Sequence, residues 1–166
     1  MNYKAKKKYG QNFLENKEIL NEIFSHVDLD SEDTVIEIGP GLGFLTETLS
    51  DNVKKVYSFE IDTDLVGILN KKFADRENLE IIHTDFMEYD LSKILNDKKN
   101  VKVVANIQYY IISPIINKLI EFGENISEIY IMVQKEVAQR ISAVSPSKDV
   151  SILTHSVQFF GEAKYL

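Results

Sequence analysis

The residues best suited to chemistry lie in one short run, Asn106-Ile107-Gln108-Tyr109-Tyr110, directly after the apolar stretch VKVVA. An amide, a main-chain carbonyl two residues on and two aromatic rings suit one problem in particular: alkylating the exocyclic amine of adenine or cytosine. The lone pair of that amine is delocalised into the ring, which makes it a poor nucleophile. Two acceptors on its hydrogens draw the nitrogen toward tetrahedral geometry and turn the lone pair toward a donor. The side-chain oxygen of Asn106 and the carbonyl of Gln108 can be those acceptors, and one of the two tyrosine rings can stack on an extruded base. No strong base is needed, because positioning carries most of the rate. A plainer reading stands beside this one, in which Asn106 caps a turn over a partly buried tyrosine pair.

A second run is rich in glycine: Val35-Ile36-Glu37-Ile38-Gly39-Pro40-Gly41-Leu42-Gly43. Glycines after an apolar strand let the backbone turn sharply and approach a ligand closely. A helix N-terminus that follows offers unpaired N–H groups and a positive dipole end. The spacing is G-x-G-x-G, whereas the dinucleotide fingerprint is G-x-G-x-x-G. S-adenosylmethionine has no pyrophosphate to cradle, so the shorter pattern suits it better. A tight strand-to-helix turn with no ligand is the plain alternative. Glu60 closes the next apolar run, about 20 residues after the loop, where an acid commonly accepts ribose hydroxyls. Asp85, in His83-Thr84-Asp85-Phe86-Met87, can accept from an adenine amine with Phe86 flanking the ring, or can be an ordinary turn aspartate.

These residues need a scaffold that brings strand ends together. Apolar β-branched runs alternate with amphipathic stretches, the pattern of an α/β fold. Strands are expected over 34–38, 55–61, 79–83, 101–105 and 128–133. Helices are expected over 17–27, from about residue 44, and over 65–73, 115–122 and 135–142. Residues 145–149 read as a loop, and 151–160 lean toward helix. The expected architecture is an open, mostly parallel Rossmann-like sheet with helices on both faces. Such sheets bind ligands at the carboxyl ends of their strands, near the switch in strand order.

The 166 residues suffice for one domain with one core. Hydrophobic residues make up 44% and charged residues 27%, ordinary for a globular protein. The chain has no cysteine, which excludes disulfides, thiol catalysis and cysteine-ligated metal. His26, His83 and His155 show no ligand spacing, so no metal is expected. No apolar run is long enough to span a bilayer, and no signal-peptide segment follows the basic start. A cytoplasmic protein without membrane attachment is expected. The net charge of −7 speaks against a general nucleic-acid binder. Lys4, Lys6, Lys7 and Lys8 nevertheless make a basic arm on an acidic body, which could touch phosphates or simply be solvated.

Taken together, YGQNFL (9–14), VIEIGPGLGFLTETL (35–49), FEID (59–62), the Asp85–Phe86 pair, NIQYYIISPII (106–116) and MVQKEVAQRI (132–141) resemble the KsgA/Dim1 family of small-subunit rRNA adenine dimethyltransferases. They fall in the family's order across nearly the whole chain. GPGLG and VQKEVAQRI are closer to this family than to the related macrolide-resistance methylases of large-subunit rRNA. The resemblance implies S-adenosylmethionine as cofactor and the immature small ribosomal subunit as partner, with two methyl groups moved to each of two adjacent adenines. It implies that Asn12 and Leu14 of the arm (residues 1–16) cover the cofactor and that Gly39 and Gly41 line its methionine end. It further implies that Glu60 holds the ribose, Asp85 the adenine amine and Asn106 the target amine, with Tyr109 stacked on the target base.

Two departures stand out. Leu166 falls about where the family's sixth strand forms, so the last strand and a small helical RNA-gripping domain are expected to be absent, leaving an open sheet edge. The alternative function that follows is a non-catalytic cofactor- and RNA-binding module acting in ribosome assembly. A small-molecule methyltransferase fits NIQYY less well, and a dehydrogenase fits the glycine spacing less well still. The second departure is Gln108, where the family has proline. Proline fixes φ near −65° and removes a donor; glutamine keeps the carbonyl but loosens its aim. Gln108→Pro is therefore expected to raise single-turnover methyl transfer to small-subunit rRNA, and an unchanged rate would refute the assignment.

Overall fold

A computed structural model describes residues 17–107, 109–144 and 150–166. Asn12, Leu14, the rest of the basic arm, Gln108 and the expected loop 145–149 lie outside the described residues. Helix α1 (Lys17–His26) leads into β1 (Thr34–Ile38), α2 (Phe44–Asn52), β2 (Lys55–Glu60), α3 (Thr63–Lys72) and β3 (Leu79–His83). The chain continues through α4 (Ser92–Leu95), β4 (Val101–Asn106), a 3-10 turn (Tyr109–Ile111), α5 (Ile112–Ile120), β5 (Ile126–Met132), α6 (Lys135–Ile141) and α7 (Ile152–Phe160). The five strands pair in parallel in the order β3-β2-β1-β4-β5. The order reverses between β1 and β4, which makes their carboxyl ends the switch point.

Strand periodicity divides the core between the two faces. Ile36, Ile38, Phe59, Val101, Val103 and Ala105 point to one face, where they pack with Ile94, Leu95, Ile112, Ile115, Ile116, Leu119 and Val137 from α4, α5 and α6. Val35, Val56 and Val104 point to the other, against Leu20 of α1 and Leu45 and Leu49 of α2. Both faces are thus covered, and this is why the strand sequences read as near-continuous apolar runs. Helix α7 is confirmed; Ser151 and Thr154 form a reciprocal capping box at its start, and Thr154 Oγ1 also donates to the Arg140 carbonyl at 2.8 Å.

Some boundaries differ from expectation. Strand β4 runs one residue further, through Asn106, and α5 starts three residues earlier, at Ile112. Strand β5 begins at Ile126, and its register against β4 shifts between Val101 and Lys102. Helix α4 has no expected counterpart, because four residues are too few to show a helical period.

At the amino ends of the strands, Lys102 lies nearly buried on the α1 side of β4. Its ammonium pairs with Asp33 at 2.9 Å and donates to the Asp28 carbonyl. Burial pulls the Lys102 pKa down, but the hydrogen bond and charge of Asp33 push it above its ordinary value. Removing one partner of such a pair leaves an uncompensated buried charge, which costs about 3–5 kcal/mol, whereas an apolar replacement of the pair is far better tolerated. Asp33→Ala should therefore lower the urea midpoint more than the double variant Asp33→Ala/Lys102→Met; the opposite order would show that the pair does not hold this end of the sheet.

Candidate functional site

The site is built where β1, β2, β3 and β4 end. In the register, Ile38 lies beside both Phe59 and Ala105, and Glu60 lies beside His83. The residues that follow these positions therefore meet at one rim. Gly39, Gly41 and Gly43 all have positive φ, at 75°, 60° and 78°, the left-handed region that side chains disfavour. At Gly39 the need is also steric, since an added Cβ would lie 3.3 Å from the Asn106 carbonyl oxygen. The glycine loop thus rests directly on the end of β4. At Gly43 a Cβ would lie 2.7 Å from the Phe73 ring, so this glycine serves the packing of α2 against α3.

Glu60 is nearly buried. Its carboxylate accepts the N–H of Asp62 at 2.9 Å and the N–H of Gly41 at 3.3 Å. Its carbonyl accepts the N–H of Thr84 at 3.1 Å. One side chain therefore ties the glycine loop to the end of β2, and the same residue's main chain ties in the loop that leads to Asp85. Burial raises the Glu60 pKa, opposed by the N–H groups of Asp62 and Gly41. Each carboxylate oxygen has a second lone pair with which to accept a hydroxyl. Asp85 begins a turn after β3, where its Oδ1 accepts the Met87 N–H at 2.8 Å and its carbonyl accepts the Glu88 N–H at 3.1 Å.

Asn106 is half-buried at the last position of β4, and Tyr109 opens the 3-10 turn beyond it. The Tyr109 side chain lies outside the described residues. Gly39, Gly41, Glu60, Asp85 and Asn106 are brought to one end of the sheet. The Phe86 ring is 5% exposed and packs edge-on against Phe59, with centroids 5.2 Å apart, so it joins the core directly after Asp85.

The structure adds residues that the spacing argument passed over. Glu37 is fully buried; it accepts from Thr46 Oγ1 of α2 at 3.0 Å and from Ser58 Oγ of β2 at 2.7 Å. A lone acid in the apolar strand TVIEI was the available signal. Asp62 caps α3 by accepting the Asp64 N–H at 2.9 Å.

Against known proteins, the family model described as Ribosomal RNA adenine dimethylase matches residues 2–166. Ribosomal RNA small subunit methyltransferase A of Fusobacterium nucleatum is 53% identical over all of this chain and 62% of its own length. The protein of the same name from Bacillus pumilus is 45% identical over 98% of this chain and 57% of its own length. The chain thus spans about 60% of the length of the curated relatives it matches. Among solved structures, a dimethyladenosine transferase from Plasmodium falciparum superposes with a TM-score of 0.78 at 33% identity, covering 89% of this chain and 52% of the other. The 23S rRNA methyltransferase ErmE gives 0.70 at 29% identity, covering 79% and 51%.

Glu37 supplies a pH test of the loop's foundation. Burial drives its carboxyl from an ordinary 4.5 up to about 7, opposed by the Ser58 and Thr46 hydroxyls and aided by the charge of Glu60. The folded state then holds a proton that the unfolded chain releases. The stabilisation is complete below pH 4.5 and is lost as pH rises through 7, a change of about 3 kcal/mol at most. Unfolding free energies of the wild type and Glu37→Gln should diverge across that window, with the variant gaining relative stability toward pH 8; parallel curves would remove the assignment. With the Rossmann-like methyltransferase fold and this site in place, the chain belongs to the ribosomal RNA adenine dimethylase family.

Proposed function

We propose that this protein takes part in S-adenosylmethionine-dependent dimethylation of adjacent adenines in small-subunit ribosomal RNA, acting on the immature small subunit in the cytoplasm. The observation that carries this reading is the seating of Gly39 against the Asn106 carbonyl, which sets a cofactor loop beside a base-amine motif. The names of the relatives support the choice of RNA and of reaction.

The residues present fit the cofactor. Glu60 and Glu37 both stand above their ordinary pKa, and each is buried near the loop. The Glu60 carboxyl group at the rim has lone pairs left to accept ribose hydroxyls, and among the described residues no cationic side chain pairs with it to hold a pyrophosphate. This agrees with the glycine spacing. Gly39 and Gly41 would line the methionine end, Glu60 would accept from the ribose and Asp85 from the adenine amine, with Asn12 and Leu14 closing over it. Bound S-adenosylmethionine supplies an electrophilic methyl group on a sulfonium centre.

The chain's own task is then positional. Asn106 accepts one hydrogen of the target amine through its side-chain oxygen, and the Gln108 carbonyl accepts the other. Tyr109 stacks on the turned-out base. Together these contacts hold the nitrogen with its lone pair directed at the donor and restrict water at the reacting atoms.

The test is tritium transfer from labelled S-adenosylmethionine to immature small subunits, run beside calorimetric titration of the cofactor. Transfer is expected, and Asn106→Ala should reduce it about a hundredfold or more while retaining cofactor binding. Cofactor binding with no transfer by the wild type would favour the assembly-module alternative, and binding of neither ligand would overturn both.

A further inference from the structure

The mechanism above makes no use of Lys118, which lies half-buried on α5, twelve residues beyond Asn106. All three of its ammonium protons are directed to main-chain carbonyls in one turn. Nζ donates to Phe86 O at 2.8 Å, to Met87 O at 2.8 Å and to Tyr89 O at 2.6 Å. It also lies 5.3 Å from the centre of the Phe86 ring. Burial lowers the Lys118 pKa, opposed by the charges of Asp85, Glu121 and Asp90. The turn it holds is the one that begins at Asp85, whose Oδ1 is fixed by the Met87 N–H. Below the turn, Phe59 packs edge-on against both Phe86 and Tyr89.

These contacts define a clamp. The aromatic cluster supports the turn from beneath without fixing its rotation, since ring contacts are weakly directional compared with charge-assisted hydrogen bonds. Three carbonyls converging on one nitrogen do fix it. The turn determines where Asp85 Oδ2 points, because Oδ1 is already committed. Lys118 belongs to the helix that follows the Asn106 motif, so the clamp also joins the two halves of the site.

We propose that Lys118 is a positioning residue for Asp85, setting the carboxylate that discriminates the six-amino group of the cofactor's adenine. This rests on the cofactor reading given above. The effect is on recognition of one functional group, and the rest of the cofactor contacts are untouched by it.

The experiment compares the affinity of the protein for S-adenosylhomocysteine with that for S-inosylhomocysteine, in which an oxygen replaces the amine. The wild type should prefer the adenosine ligand by about tenfold or more, the range for a hydrogen bond to a charged acceptor. Lys118→Met should bring that ratio below about threefold while leaving affinity for the inosine ligand nearly unchanged. Lys118→Arg keeps the charge, but a planar fork cannot present three protons from a single point, so its ratio should fall between the two. Should Lys118→Met not fold, the arginine variant decides alone. A general structural role would weaken both ligands together and keep the ratio; that result overturns the proposal and leaves the cofactor reading intact. A wild type that binds neither ligand overturns the cofactor reading and this inference with it. Binding without discrimination overturns the role of Asp85, and therefore of Lys118.

Discussion

The close approach of the β1 and β4 ends depends on a side chain that is not there. β1 and β4 are neighbours, with Ile38 beside Ala105, so the next residue on each strand, Gly39 and Asn106, must face one another. Gly39 takes a φ of 75° and leaves only 3.3 Å between the position of an added Cβ and the Asn106 carbonyl oxygen. A larger residue would have to adopt a disfavoured backbone and displace the end of β4. Glu60 can reach the Gly41 N–H only because the loop is drawn down onto the sheet. The proposed donor and acceptor halves of the site are separated by one residue's missing bulk, and the parallel register carries that constraint to every other group at the rim.

Beneath this rim the protein accommodates a polar cluster that a purely apolar core would avoid. Glu37, Thr46 and Ser58 occupy the face of the sheet toward α2, all buried. Burying a carboxyl group is costly unless it is hydrogen-bonded, and here both oxygens have a donor. What the cluster achieves is orientation. It joins β1, the helix that follows the glycine loop and β2 through directional bonds, whereas the Leu45, Leu49, Val35 and Val56 packing around it would tolerate small rotations. The position of the loop is thus held from below by directional bonds and limited from above by a steric contact.

Much of this was legible in the sequence, for a definite reason. Strands buried on both faces read as β-branched runs, and β1 and β3 came out with the expected bounds. The strand ends could be located because glycine, Glu60, Asp85 and Asn106 each interrupt an apolar run. What escaped was anything fixed by tertiary contact. Phe86 could not be told from an exposed aromatic, since its burial depends on Phe59 and Lys118. Lys118 drew no reading from the sequence, because its three acceptors lie about thirty residues earlier. Glu37 gave a visible signal, an acid amid TVIEI, but its partners on α2 and β2 emerge only from the register. The placement of these residues at strand ends was readable; the side-chain contacts between distant segments were not.

The two halves of the site differ in how they are held, and the difference follows from what each is proposed to do. On the cofactor side, Gly39 N–H donates to the Phe59 carbonyl, Gly41 and Asp62 N–H to the Glu60 carboxylate and Thr84 N–H to the Glu60 carbonyl. Such a ring of short-range bonds suits a small ligand whose every contact recurs at each turnover, because preorganised contacts need no reordering on binding. On the acceptor side, a short 3-10 turn joins β4 to α5, and Tyr110 is 63% exposed. Under the proposed reaction a base turned out of an RNA has to enter and leave this side, which a closed, rigid cup would not allow. It needs fixed acceptors at the amine and an open approach for the rest. A strand end anchors Asn106, and Tyr110 in the turn beyond it stands exposed, so one backbone element supplies rigidity where its neighbour meets solvent.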